Sequence, residues 1–134
     1  MPRLLPRILG TAAALIVCAW FVLGIRQAHD INAATAIISG TAPPSPAQAR
    51  RAGSLLDSAA QLNPDRSVDL LRSQLVLREG DPARARALAL AVARSEPENI
   101  QAWLAYGSAS AHDRPAFTRA LRRLDELAPP VGGH

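Results

Sequence analysis

An all-α fold, in which one membrane-crossing helix precedes a short array of antiparallel helical hairpins, is what this sequence predicts. Three observations carry that reading. Ile8 to Ile25 is an apolar run without a charged residue, and five later segments place apolar residues at helical spacing. No window of Val, Ile and Thr alternates as a half-buried strand would.

The apolar run reads ILGTAAALIVCAWFVLGI. At ~1.5 Å per residue it extends about 27 Å as a helix, against a hydrocarbon core of ~30 Å. Arg3, Arg7 and the amino terminus precede it, and Arg26 follows with Asp30 close behind. Basic residues are retained on the cytoplasmic side, so residues 1–7 are expected inside and everything after Arg26 outside. Trp20 and Phe21 fall in the outer half, where an aromatic belt would lie. A cleaved secretory signal is the rival reading. Its core would span only ~7–15 residues with a small-x-small site just behind. Here Ala34-Thr35-Ala36 lies far beyond the core, past a charged RQAHD stretch. A lipid-modified cysteine is a third reading, but Leu15-Ile16-Val17 supplies no small residue directly ahead of Cys18. Cys18 reads as a small apolar membrane residue, and as the single cysteine it can form no intramolecular disulfide. The run is therefore read as a signal anchor.

The 134 residues leave room for one small domain beyond the anchor. All 15 basic residues are arginine and about a fifth of the chain is alanine, the composition of a GC-rich bacterial genome. The formal charge of +4 thins out along the chain, because from Ala47 onward twelve Arg face ten Asp and Glu. Such near-neutrality argues against a nucleic-acid binder. Residues 26–38 extend the anchor helix outward, with Ile31, Ala34 and Ile38 on one face. Ser39 to Pro46 (SGTAPPSP) is a linker, since consecutive prolines hold it extended and nothing in it builds a core.

Five helices follow within residues 47–130, ahead of a flexible tail at 131–134. The first, from Pro46 to Leu62, is opened by Ser45-Pro46 and carries Ala52, Leu55, Leu56, Ala59 and Leu62. Ser67 to Glu79 carries Val68, Leu71 and Leu75, with Leu70 and Leu77 beside them. Gly80-Asp81-Pro82 then stops one helix and starts the next: Gly accepts the left-handed closing conformation, Asp caps, and Pro fits the first position. The third helix, from Pro82 to Ser95, carries Ala85, Leu88, Ala89 and Val92. The fourth, from Pro97 to Ala111, carries Ile100, Trp103, Leu104 and Gly107, with Glu96 and Glu98 favouring its N-terminal dipole. The fifth, from Arg114 to Leu127, carries Phe117, Ala120, Leu121, Leu124 and Leu127. Each stripe follows the i, i+3, i+4, i+7 rule.

Pro64, Pro97 and Pro129 are 33 and 32 residues apart, each closing an apolar-periodic segment. With Trp103, Tyr106 and Gly107 as a large–large–small trio, Ser73 as a small first-helix residue, and Ala85 with Pro97 in a second helix, this stretch resembles the tetratricopeptide repeat family. The resemblance covers about Ala47 to Pro130, two degenerate repeats and a preceding half. It departs from the family at Asp69 and Arg72, where bulky apolar residues are usual, and at Phe117, where a small one is. An ordinary five-helix bundle with a chance proline rhythm is the alternative. The resemblance implies stacked hairpins and protein binding, and repeat proteins of this layout resemble helpers in polysaccharide assembly or cytochrome biogenesis.

No catalytic chemistry is legible. His29, His112 and His134 are scattered, with no Cys, His or carboxylate at ligand spacing, and there is neither a nucleophile elbow nor a phosphate-cradling glycine loop. No enzyme, metal or cofactor is expected. A tethered, short array predicts exposed apolar surface for protein partners associated with the membrane, or for self-association. Trp103, Tyr106, Phe117, Leu121 and Leu124 are the candidate contacts, and for the first two packing inside the hairpin is the favoured role, because the family that this stretch resembles packs those positions. A second reading has Arg50, Arg51, Arg84, Arg86, Arg122 and Arg123 converging on an anionic glycan or lipid. A third has the anchor dimerising through Gly10 and Ala14 as a small structural membrane protein.

Overall fold

The computed structural model describes residues 5–62 and 66–128, with side chains from residue 13 onward apart from Leu62. Six α-helices account for it: α1 (Leu5–Ile38), α2 (Pro46–Leu62), α3 (Arg66–Arg78), α4 (Pro82–Ser95), α5 (Ile100–Ala109) and α6 (Arg114–Leu127). No strand occurs among the described residues. Arg3, Pro64, Pro129 and His134 lie outside the described residues, and of Arg7 and Gly10 only the helical backbone is described.

The apolar run and the extension behind it form a single helix without a break. From Ala13 to Ile38 it is long and apolar enough to cross a membrane. From residue 13 to 26 its side chains are all exposed, Leu15, Trp20, Phe21 and Ile25 widely so. Its last two turns behave differently. Ala34 and Ile38 are buried in one cluster with Ala49, Ala52, Leu56 and Ala59 of α2 and Val68 and Leu75 of α3. Packing thus begins thirteen residues ahead of Ala47, at Ala34, and the helical domain takes α1 as a structural member. Alanines dominate this contact, so the two backbones approach closely and little rotamer freedom is lost on burial.

The starts of α2, α4 and α6 are written in local chemistry. Ser45 and Gln48 form a reciprocal capping box: the Ser45 N–H donates to Gln48 Oε1 at 2.8 Å, and the Gln48 N–H donates to Ser45 Oγ at 3.3 Å. Gly80 closes α3 at φ 89°, a conformation that L side chains resist, and Asp81 accepts from the Arg84 N–H at 3.0 Å to start α4. The Asp113 side chain likewise accepts from the Ala116 N–H at 3.1 Å to start α6.

At α5 the structure departs from expectation. The helix begins at Ile100, because Asn99 accepts from the Ala102 N–H at 3.1 Å and so takes the capping role. Glu96, Pro97 and Glu98 therefore lie in the turn before it, and Glu96 accepts from the Asn99 amide group at 2.7 Å. The helix ends at Ala109, where buried Ser110 donates to the Tyr106 carbonyl at 2.6 Å.

Consecutive helices pack in pairs, α1 on α2, α3 on α4 and α5 on α6, and α2 and α4 also pack on the helices that follow them. In addition α1 meets α3 and α3 meets α5. The odd-numbered helices therefore form one layer and the even-numbered helices the other. The α2–α3 contact, where Asp69 and Arg72 interrupt the apolar stripe, is bridged by charge: Arg72 reaches Asp57 at 2.6 Å and Asp69 at 3.2 Å.

Two outcomes follow for the full chain in detergent micelles, in a Trp20→Phe background whose unfolding is read from Trp103 fluorescence. Ile38→Ala lowers the unfolding free energy by about 2–4 kcal/mol, as for a buried side chain, whereas Phe21→Ala leaves it unchanged. Asp113→Ala costs about 1 kcal/mol more than Arg86→Ala. Both remove the 2.5 Å, half-exposed Arg86–Asp113 pair, but only the first also removes the α6 cap.

Candidate interaction surface

Five apolar residues were expected to offer contacts, and they divide. Trp103 and Tyr106 belong to the core, with the Tyr106 side chain only 2% exposed. Their rings meet edge to face at 5.9 Å and 88°, and Trp103 Nε1 donates to the Pro97 carbonyl at 2.9 Å. Aromatic pairs in this geometry add to the apolar area they bury, and the indole N–H has found its acceptor. Both residues are therefore packing residues and are withdrawn from the candidate surface. Leu124 is half-buried against the same cluster, beside Ala116 and Ala120. Gly107 faces Ala120, where an added Cβ would stand 3.3 Å from the alanine methyl. The small residue opposite Gly107 is thus Ala120, and Phe117 is displaced outward.

Phe117 and Leu121 remain exposed, at 38% and 51%. Outside α1, the exposed large apolar side chains among the described residues are these two with Ile100 and Leu104, all on the last hairpin. The outer face of α2 is polar by contrast, with exposed Arg50, Arg51, Ser54 and Asp57. The array is covered by polar residues at its first hairpin and left apolar at its last.

A feature that sequence reasoning missed lies on the odd-numbered layer. The C-terminal turns of α1 and the bodies of α3 and α5 enclose a groove of about 320 Å³. Thr35, Ile38 and Ser39 form one wall, Ser73, Gln74, Leu77 and Arg78 the floor, and Gln101, Leu104, Ala105 and Ser108 the far wall. Leu77 and Leu104 supply apolar patches, hydroxyls and amides supply neutral hydrogen-bonding groups, and Arg78 is the one charged residue. Arg78 leans on the linker, its Nη2 donating to the Ala42 carbonyl. Its Nε is buried and has no acceptor among the described residues. A period-based search could not find this groove, because it joins three helices through residues that read singly as ordinary polar positions.

The arginines proposed for anionic ligands are spread over three helices. Arg50 and Arg51 open α2, and Arg84 and Arg86 open α4, at the end of the array where α1 finishes. Arg122 and Arg123 stand near the end of α6, at the opposite pole. Arg86 is held by Asp113, and Arg123 by Glu126 at 2.7 Å. Among the described residues no three His, Cys, Asp or Glu side chains come together as metal ligands would.

No protein-family model, curated protein or solved structure matches this chain.

Core and surface roles separate by stability. Trp103→Ala lowers the unfolding free energy by about 3–5 kcal/mol, while Leu121→Ser changes it by less than about 0.5 kcal/mol and reduces binding of an apolar dye to the folded protein. Denaturant titration of both variants by circular dichroism checks the contrast.

Proposed function

We propose that this chain is a non-catalytic, membrane-anchored protein-interaction module, accessory to an envelope-associated assembly and built on a tetratricopeptide-like array. In this reading α1 crosses the membrane with its N-terminus on the cytoplasmic side, following the placement of Arg26 and the basic residues ahead of the run. The hairpins are then α1–α2, α3–α4 and α5–α6, with the outer turns of α1 completing the half-repeat read from sequence. Small-residue contacts inside the hairpins support the repeat reading: Ser73 Oγ donates to the Ala85 carbonyl at 2.8 Å, and Gly107 lies against Ala120.

The observation that carries the proposal is the groove on the odd-numbered layer. It joins exposed Leu104 to the exposed polar side chains of Thr35, Gln74 and Gln101, the combination that lets a polypeptide bind by both side-chain burial and hydrogen bonding. Confinement to a membrane surface raises the effective concentration of partners held there, so a shallow groove of this size suffices.

Affinity capture of the tagged full chain from native membranes tests this. Membrane proteins retained by the unaltered chain are expected to be lost with Leu104→Arg, which places a charge on the groove wall, and kept with Leu121→Ser. Retention of the same set by Leu104→Arg would overturn the groove as the binding surface. Loss with Leu121→Ser alone would move the contact to the end of the array.

A further inference from the structure

The groove's height above the bilayer is fixed by the same helix that forms one of its walls. Helix α1 runs unbroken from the apolar run into the core, so distance along it can be counted. Thr35 and Ser39 stand nine and thirteen residues beyond Arg26. At ~1.5 Å per residue those positions lie about 14 and 20 Å from the edge of the apolar span, and any tilt of α1 lowers them. The headgroup layer takes up about 5–7 Å of that distance, which leaves roughly 7–15 Å of clearance.

That clearance selects the occupant. A folded domain of 100 residues has a radius of gyration near 13 Å, equivalent to a sphere of about 17 Å radius, and centred on the groove it would press into the headgroups. A single polypeptide segment does not. About six extended residues span 20 Å, so a chain leaving the bilayer reaches the groove almost at once. The lining adds a chemical condition. With Arg78 as its one charge and no carboxylate in its walls, the groove is complementary to a segment that carries an acidic side chain.

Resting on the interaction-module reading, we propose that the α1–α3–α5 groove receives the juxtamembrane segment of another membrane protein, a stretch within about fifteen residues of its membrane-spanning part that bears a carboxylate to meet Arg78. The partner is recognised at the point where it leaves the bilayer, and its folded domains lie elsewhere.

Site-directed photo-crosslinking in native membranes tests this on the full chain. Ser108→Cys in a Cys18→Ser background places a benzophenone maleimide in the groove, and Ser54→Cys on the outer face of α2 serves as control. The expected result is a crosslink specific to the Ser108 site whose partner peptides map, by mass spectrometry, within about fifteen residues of a membrane-spanning segment. Arg78→Gln is expected to reduce that yield at least fivefold, and Arg78→Lys to retain most of it. Peptides from soluble proteins, or from regions remote from the bilayer, would overturn this inference and leave the interaction module standing. Identical captures from Ser108 and Ser54 would sink both. An unchanged yield with Arg78→Gln would remove the carboxylate from the proposal.

Discussion

The burial of Ala34 and Ile38 against α2 is the contact on which the rest of the structure depends. Without it α2 would be a helix with one face on α3 and its alanine stripe open to solvent, and the narrow, charge-bridged α2–α3 contact offers little to replace it. With it, α1 supplies the first wall of the array and, together with Ser39 just behind it, one wall of the groove. The alanines that make the contact also set its character. Side chains with no rotamers to lose allow two backbones to lie close over several turns, so a stable hairpin forms from residues that individually bury little area.

From that start, order passes along the layers by alternating devices. Apolar burial holds α1 to α2, ion pairs around Arg72 help to hold α2 to α3, and a second apolar cluster around Trp103 and Tyr106 joins α4, α5 and α6. Partly exposed ion pairs contribute little each in water. Their value at the α2–α3 junction is positional, since a network from Asp57 through Arg72 to Asp69 fixes rotation about an interface whose apolar part is Leu56 against Val68 and Leu75. The apolar face then runs out at α6, where Phe117 and Leu121 have no helix beyond them among the described residues.

Much of the fold was legible because its signals are local. Ser45-Pro46 and Gly80-Asp81-Pro82 each dictate a helix boundary from within a few residues, and α2, α4 and α6 start and stop where the pattern places them. Helix α5 was misplaced at both ends for the same reason turned around. Pro97 is a strong first-turn residue, but Asn99 caps better, and the hydroxyl of Ser110 closes the helix from inside the core. The surface was far less legible. Periodicity gives the apolar side of a helix but not which neighbour covers it, so the half-burial of Leu124 beside exposed Phe117 and Leu121 could not be read from α6 alone. The groove needed three helices to be placed before Thr35, Ser73 and Ser108 could be seen as one surface.

The continuity of α1 has a consequence for direction. A helix turns about 100° for each residue, so the azimuth at which the groove opens is locked to the face that the apolar half presents to its surroundings. Between Ile25 and Ala34 there is no glycine or proline to absorb a twist. The spacer therefore acts as a phase setting. One residue added there would swing the groove about a quarter of a turn while raising it by only ~1.5 Å, whereas seven would bring it nearly back to its bearing about 10 Å further out. Length and aim are coupled in this chain, and evolution can alter the reach of the domain only in steps that keep it facing the same way.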